Sequence, residues 1–277
     1  MKVYRTSKGI VLHSEGKYFL SDTNWDEFIN DDSLFQKCKS IVSQNQPIEN
    51  GPELISDHLL KPIENQEIWA TGVTYYNSKM GRQEEAKEAG GGDFYERVYN
   101  AERPELFFKS TAARAVGHLD KVAIRTDSTW DVPEPELTLC ITSSGKIVGY
   151  TIGNDMSSRS IEGENPLYLP QAKNYDRSAA IGPCILVTDG PFPLDSKIYL
   201  DIVRNGSKVF SGEIGVDQIV RKFEDIVQYL YKHTTYPHGS FLMTGTGIVP
   251  GTDFTLAQND EINITIDNIG TLTNTIG

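Results

Sequence analysis

The sequence has few cysteines, no cluster of basic residues and no long apolar run. Its three cysteines, Cys38, Cys140 and Cys184, lie far apart without metal-ligand or redox spacing, which predicts buried thiols in a reducing compartment. The formal net charge of -12 disfavours a nucleic-acid or anionic-membrane partner, because binding to phosphates requires clustered Lys and Arg. No apolar run is long enough to span a bilayer, and residues 1–20 lack the apolar core of a signal peptide. These absences lead us to expect a soluble, cytoplasmic protein.

The length of 277 residues suits one large domain with a small appendage. Residues 1–64 begin with alternating polar and apolar positions and continue with helical spacing at Trp25, Phe28 and Ile29. This pattern predicts a small N-terminal α+β domain that ends in a connector rich in proline and polar residues. Residues 65–277 are the predicted catalytic domain.

Short apolar or alternating runs bounded by Gly, Pro, Asp and Ser dominate the chain from residue 106 onward, and they predict strands. Asn205 and Gly206 separate two such runs, which favours a hairpin with a type I′ turn. One helix is predicted from Asp217 to His233 on the spacing of its apolar residues. The sequence therefore predicts a mixed, mainly β fold, a largely antiparallel β-roll or sandwich with few helices.

The least hydrophobic part of the chain, residues 77–103, follows a predicted buried strand. It contains the glycine run 90–92 between two charged runs that favour helix. A polar excursion of this kind, with a glycine hinge, is typical of an active-site lid. A solvated surface loop has the same composition, so both interpretations stay open.

Three acidic residues suggest a metal site. Glu134 and Glu136 are one residue apart on an alternating run, so their side chains share one face of a strand and repel each other unless a cation lies between them. Asp155 ends a second strand-like run. Each acid alone is more often solvated or ion-paired. Together, with no His or Cys nearby, they favour a hard cation: Mg²⁺, Mn²⁺ or Ca²⁺.

A series of ordered motifs between residues 69 and 277 resembles the fumarylacetoacetate hydrolase superfamily. They are PEPEL at 133–137, VGYTIGNDMSSR at 148–159, QAKNYD at 171–176, IGPCI at 181–185 and LMTGTGIVPG at 242–251. The resemblance implies a fumarylacetoacetate-hydrolase-like mixed β-roll and a divalent ion, usually Mg²⁺, on the three acids. It also implies a site lysine at Lys173 and a substrate-binding turn at Gly245, Thr246 and Gly247.

Two further segments look most like the 2-keto-3-deoxy-arabinonate dehydratase branch of this superfamily. They are AERPELFFKST at 101–111 and EGENPLYLPQAKNYD at 162–176. Lys109 matches a family position near the site and is taken as a substrate-binding candidate without an assigned chemical role. The family also implies a homo-oligomer, a dimer or a tetramer.

The chain departs from the hydrolase members at one position. Those members carry a histidine in a pattern like G-x-N-Y-x-x-H, and here Ser78 stands in its place. A serine without an adjacent base transfers protons poorly, so water-driven C–C cleavage loses its usual general base. Ser78 is kept as a substrate-binding candidate. Glu84 and Glu85 are candidates to protonate a departing hydroxyl, although a charged helix also presents such acids to solvent.

The expected partner is a small 2-keto acid, which can chelate a metal ion through its carboxylate and keto oxygens; this acidifies the protons on C3. Lys173 is the leading proton-transfer or oxyanion group, with a purely electrostatic role as the alternative. Arg159 is expected to orient a ligand carboxylate or to bind substrate. Thr246 is a candidate donor to the substrate carboxylate, and the flanking glycines let the backbone approach closely.

Three functions fit these residues. The first is a Mg²⁺-dependent dehydratase of a 2-keto-3-deoxy sugar acid, such as 2-keto-3-deoxy-arabinonate, that gives a dioxo acid such as 2,5-dioxopentanoate. The alternative is a C–C hydrolase of acylpyruvates or fumarylacetoacetate. The third is an inactive, metal-dependent sugar-acid binding protein, which the intact acidic residues and Lys173 disfavour because repelling carboxylates without an ion would lower stability.

Overall fold

A computed structural model describes residues 1–75 and 97–277. Its strands are β1 (Lys2–Thr6), β2 (Gly9–Ser14), β3 (Lys17–Ser21), β4 (Glu67–Gly72), β5 (Glu105–Thr111), β6 (Lys121–Val122), β7 (Asp131–Val132), β8 (Pro135–Ile141), β9 (Ile147–Asp155), β10 (Ser157–Ser158), β11 (Ala179–Leu186), β12 (Lys197–Arg204), β13 (Ser207–Gly215), β14 (Ser240–Met243), β15 (Glu261–Ile266) and β16 (Gly270–Ile276). Its helices are α1 (Trp25–Ile29), α2 (Leu34–Gln44), α3 (Gly51–His58), α4 (Arg159–Glu164), α5 (Leu169–Lys173) and α6 (Phe223–Tyr231), and short 3₁₀ turns span Pro166–Tyr168 and Val216–Gln218.

The strands of the described residues pair into two main sheets. A nine-stranded sheet has the order β3-β2-β1-β11-β9-β8-β14-β4-β5, and a five-stranded sheet has the order β13-β12-β15-β16-β6. Most neighbours are antiparallel, while β14 pairs with β4 in parallel. The prediction of a mixed, mainly β fold with few helices is confirmed.

The nine-stranded sheet is buried on both faces, as the alternation along β8 illustrates. Leu137 and Leu139 belong to the core cluster that contains the apolar residues of the five-stranded sheet. Cys140 points the other way, into a second cluster with Trp25 and Phe28 of α1. Successive residues of a strand face opposite sides, so one strand contributes to both cores. The predicted burial of Cys140, and likewise of Cys38 and Cys184, is confirmed, and all three thiols are free.

The N-terminal strands join the same sheet as the rest of the chain. β1 pairs antiparallel with β11, with Lys2 opposite Leu186. The division of the chain at residue 64 stays a prediction. Within residues 1–75 and 97–277, no helix is long and apolar enough to cross a bilayer.

The predicted helix from Asp217 to His233 was wrong at its start. Regular helix begins only at Phe223, and Ile219 and Lys222 have extended backbone. The reason is tertiary: the Val220 N–H donates to the carbonyl oxygen of Thr74 at 3.0 Å instead of to a helical carbonyl. A long-range hydrogen bond has here overridden the local apolar pattern.

Candidate active site

The three predicted metal ligands meet at one end of the nine-stranded sheet. Glu134 immediately precedes β8, Glu136 lies in it, and Asp155 ends the neighbouring strand β9. Glu136 stands opposite Gly153 in the strand pairing, and the Asp155 N–H donates to the Glu134 carbonyl oxygen at 3.0 Å. One carboxylate oxygen from each of the three residues lies within 4.8 Å of the others, and all three side chains are buried. The strand register thus builds a cluster of acids.

Two cationic side chains contact this cluster from opposite sides. Lys173, the last residue of α5, places its Nζ 2.8 Å from Glu134 Oε2 and 3.1 Å from Asp155 Oδ2. Its third partner is the hydroxyl of Ser157 at 2.6 Å. Arg159, the first residue of α4, donates from Nη2 to Glu134 Oε1 at 2.7 Å. The predicted electrostatic roles of Lys173 and Arg159 fit these contacts, whereas Ser157 was not predicted.

Lys109 is the third cation of the site, and it is completely buried. Its Nζ lies 2.5 Å from Asp155 Oδ1 and donates to the carbonyl oxygens of Met156 at 2.8 Å and Lys173 at 2.5 Å. The ammonium group thus has two hydrogen bonds and one ion pair, all with protein oxygens. Lys109 therefore orients Asp155 and holds the end of α5. These contacts favour a supporting role over the predicted substrate contact.

The electrostatics of the cluster fit a cation. Burial raises the pKa of Glu136 well above its usual value, and the charges of Asp155 and Glu134 raise it further. Lys173 and the Gly245 N–H act in the opposite direction without overcoming this effect. A divalent cation would relieve the repulsion, and carboxylate oxygens are the ligands that Mg²⁺ prefers in proteins. The donor set therefore fits Mg²⁺.

A small cavity of about 10 Å³ opens onto the carboxylates. Besides them, it is lined by Thr71, Gly72, Val73, Phe107, Arg159, Gly245 and Thr246. Phe107 forms an apolar wall, and the Nζ of Lys173 lies 5.7 Å from the centre of its ring. The cavity thus combines buried acids, a cation and an apolar wall, as in a site for a small anionic ligand.

Glu105 is the site residue that the sequence reasoning missed. It stands opposite Gly72 in the pairing of β4 with β5, and its Oε2 lies 2.0 Å from the position that a Cβ on Gly72 would occupy. This oxygen is buried and has no hydrogen-bond partner among the described residues. The sequence carried part of the signal, because Glu105 and Phe107 alternate and share a face of β5, whereas the strand pairing shifts register at Lys109.

The predicted Gly-Thr-Gly turn lies against the acids. Gly245 has a φ of +94°, a conformation that favours glycine, and its N–H donates to Glu136 Oε2 at 2.5 Å. The Thr246 hydroxyl donates to the Ile248 carbonyl oxygen at 3.3 Å, and the side chain lines the cavity. Gly247 follows, where a Cβ would lie 2.6 Å from the ring of Tyr75. The turn therefore supports Glu136 directly.

The remaining predicted site residues, Ser78, Glu84 and Glu85, lie outside the described residues. The predicted lid at 77–103 overlaps the described residues only from 97 to 103. Their roles stay predictions.

Comparison with known proteins gives one consistent result. The profile of the fumarylacetoacetate (FAA) hydrolase C-terminal family matches residues 68–277. A probable 2-keto-3-deoxyxylonate dehydratase of Haloferax volcanii is 45% identical over 223 residues, which cover 80% of this chain and 76% of the relative. A 2-dehydro-3-deoxy-D-arabinonate dehydratase of Saccharolobus solfataricus is 46% identical over 218 residues, or 77% of this chain and 72% of the relative.

Solved structures agree with these relatives. A 2-keto-3-deoxy-D-arabinonate dehydratase complexed with magnesium and 2,5-dioxopentanoate superimposes with a TM-score of 0.86 and 36% identity, covering 100% of this chain and 98% of that chain. Its apo form gives the same TM-score at 35% identity, again over 100% of this chain and 98% of that chain. The family match covers well over half of the sequence, and this chain belongs to the fumarylacetoacetate hydrolase family.

Proposed function

We propose that this protein is a Mg²⁺-dependent dehydratase that converts a 2-keto-3-deoxy pentonate to 2,5-dioxopentanoate, with Mn²⁺ or Ca²⁺ as possible substitutes for Mg²⁺. The observation that carries the proposal is the buried cluster of Glu134, Glu136 and Asp155 beside Lys173 at the wall of a cavity. The dehydratase relatives and the magnesium and product complex of a similar structure support it.

The names of the two dehydratase relatives point to one substrate skeleton. Arabinonate and xylonate of the same series differ only in configuration at C2 and C3. Once C2 is an oxo group and C3 is a methylene, both differences disappear and C4 is the remaining stereocentre. A single compound can therefore serve as the test substrate.

The charges around the cluster fit this substrate class. Among the described residues, Glu134 and Asp155 form ion pairs with Lys173, Arg159 or Lys109, Glu136 forms none, and Arg159 also lies 3.8 Å from the buried Glu162. Glu134, Glu136 and Asp155 would hold the ion. Bound Mg²⁺ supplies Lewis acidity, which draws electron density from the 2-oxo group of the substrate and acidifies the protons on C3. Its two charges also match the substrate carboxylate and the charge that develops on the oxo oxygen.

Glu105 is the proposed proton-transfer residue. A carboxylate with an oxygen that lacks a protein partner can accept a proton without losing a hydrogen bond. It accepts one proton from C3 and returns it to the hydroxyl that leaves C4, so that one water departs. C5 must then lose a proton while C3 regains one, which the same carboxyl group can carry and which gives an enol at C4 and C5. The product aldehyde forms when this enol loses its O–H proton and C4 gains one.

The other site residues hold this arrangement in place. Lys173 and Arg159 neutralise and orient Glu134, and Lys109 orients Asp155. Thr246, in the turn that supports Glu136, is proposed to contact the substrate carboxylate. Phe107 excludes water beside Lys173, which strengthens the electrostatic interactions there.

We extend the proposal to features that rest on the sequence alone. The protein is proposed to be cytoplasmic and homo-oligomeric, with residues 1–64 as a small N-terminal α+β domain. Ser78 is proposed to contribute to substrate binding, and Glu84 and Glu85 are the alternatives to Glu105 as the group that protonates the leaving hydroxyl.

The test is direct detection of product. We expect purified protein with Mg²⁺ to convert 2-keto-3-deoxy-D-arabinonate to 2,5-dioxopentanoate, followed by ¹H NMR, and we expect EDTA to stop the reaction. Acylpyruvate serves as the competing substrate, and its cleavage without dehydration of the sugar acid would favour the hydrolase alternative. A sample that binds Mg²⁺ in calorimetry but turns over neither substrate would favour the binding protein.

A further inference from the structure

Arg221 makes an unusual set of contacts with the chain that leads into β5. Its Nη2 donates to the carbonyl oxygens of Val98 at 2.7 Å and Ala101 at 2.9 Å, and its Nη1 donates to that of Glu102 at 3.3 Å. Residues 97–100 are helical, and these oxygens lie in and just after this helix, where the Val98 carbonyl oxygen also accepts the Ala101 N–H at 3.2 Å. A planar guanidinium suits several carbonyls at once, and its charge suits the negative end of the helix.

The residue before Arg221 binds the chain on the other side of residues 76–96. The Val220 N–H donates to the Thr74 carbonyl oxygen at 3.0 Å, and the Thr74 hydroxyl donates to the Thr244 carbonyl oxygen at 2.7 Å. Thr244 immediately precedes Gly245, whose N–H binds Glu136. Two adjacent residues therefore contact the segments on both sides of this stretch, and the Thr74 side leads to the turn that binds Glu136.

The anchored segment is joined to the cavity by a short, stiff path. Glu102 is separated from Glu105 only by Arg103 and Pro104, and the ring of a proline fixes one backbone dihedral and restricts the residue before it. The Tyr229 hydroxyl of α6 also donates to the Glu102 side chain at 3.0 Å. A shift of the Glu102 carbonyl is therefore transmitted to Glu105.

We infer that Arg221 is a positioning residue for the dehydration: it fixes the start of β5 and so places the Glu105 carboxylate at the cavity. This inference rests on the proposed function, because it concerns the proton transfer assigned there to Glu105. Arg221 itself lies outside the cavity lining and touches none of the three acids.

The experiment compares three variants. Arg221→Met removes every donor, Arg221→Lys keeps the charge with fewer aligned donors, and Lys222→Met makes the same charge change at the exposed neighbouring residue. Each protein is assayed for kcat and KM with 2-keto-3-deoxy-D-arabinonate and for Mg²⁺ affinity and stoichiometry by calorimetry. Exchange of the C3 protons of 2-oxobutyrate in D₂O with Mg²⁺, followed by ¹H NMR, reports proton abstraction separately from loss of water.

We expect Arg221→Met to lower kcat and the exchange rate by about tenfold or more, since small misplacements of reacting groups have large effects on rate. KM and Mg²⁺ binding should stay within about twofold of wild type, Arg221→Lys should restore part of the rate, and Lys222→Met should match wild type. The stoichiometry of Mg²⁺ binding corrects every rate for the fraction of folded sites. If Arg221→Met is insoluble, the inference is tested with Arg221→Lys, which should lower kcat and the exchange rate while KM and Mg²⁺ affinity stay near those of wild type.

Two results would overturn the inference. One is that the Arg221 variants have the same exchange rate and kcat as wild type. The other is that Mg²⁺ affinity falls by the same factor as kcat, which indicates general damage to the site. A wild-type protein that neither exchanges nor dehydrates refutes the proposed function, and with it any positioning role in that reaction.

Discussion

Replacement of Glu136 by glutamine should stabilise the metal-free protein while abolishing its activity. The pKa of Glu136 is raised by burial and by the charges of Asp155 and Glu134. A carboxyl group whose pKa rises on folding binds its proton more tightly in the native state. The free energy of unfolding therefore falls as the pH rises above 4.5, the ordinary pKa of a glutamate. The fall ends once the pH exceeds the raised pKa of Glu136 in the native state. Glutamine keeps an oxygen that can accept the Gly245 N–H and carries no charge.

The size of the effect follows from linkage. One extra proton in the native state changes the free energy of unfolding by about 1.4 kcal/mol for each pH unit. In EDTA, the advantage of Glu136→Gln over wild type should thus grow with pH and then level off. In Mg²⁺, wild type should instead be more stable than Glu136→Gln. A ligand at 100 times its Kd stabilises the native state by about 2.7 kcal/mol, and the variant should bind Mg²⁺ weakly.

Urea denaturation from about pH 5 to about pH 9, with EDTA or with Mg²⁺, measures both effects. Glu49→Gln, the same chemical change at an exposed position, is the matched control and should follow wild type in both conditions. The reasoning is refuted if wild type and Glu136→Gln give parallel curves in EDTA. Equal stabilisation of both proteins by Mg²⁺ would remove Glu136 from the metal site.

Three further substitutions separate the roles of the site residues. Gly72→Ala would place a methyl group 2.0 Å from Glu105 Oε2 and displace that carboxylate; we expect exchange at C3 of 2-oxobutyrate to fall about tenfold with little change in urea midpoint. Lys173→Ala should keep Mg²⁺ binding in calorimetry but lose most of kcat, and an unchanged kcat would exclude a chemical role. Lys109→Met leaves Asp155 and two carbonyl groups without their donor, so urea denaturation should show a loss of about 3–5 kcal/mol; an unaltered stability would contradict the contacts described here.

Features governed by local periodicity could be predicted from the sequence. The spacing of Glu134 and Glu136 on an alternating run correctly indicated that their carboxylates would lie together, because the pleat of a strand fixes which side chains share a face. The Asn205-Gly206 turn is another case. Both residues have positive φ, at 51° and 77°, as a type I′ hairpin requires.

Features that depend on strand order could not be predicted in the same way. Glu105 lies against Gly72 of the cavity lining because β5 pairs with β4, which in turn lies beside β14, and no local pattern specifies that order. The start of α6 was wrong for the same reason, since the hydrogen bond from Val220 to Thr74 joins distant parts of the chain. Long-range pairing decided both outcomes.

The hydrogen bonds along β5 give its two charged site residues different functions. Lys109 donates to two protein carbonyl oxygens and forms an ion pair with Asp155, so a ligand could bind it only by displacing one of these partners in a buried place. Glu105, on the same strand, has a buried oxygen without a partner among the described residues, so a proton or a substrate hydroxyl there adds a hydrogen bond and breaks none. The cation, with three protein partners, therefore supports the acidic cluster, and the acid with an unpaired oxygen is the better fit to the proposed proton transfer. The ring of Phe107 lines the cavity 5.7 Å from the Nζ of Lys173, and an apolar wall there strengthens the electrostatic interactions of the site.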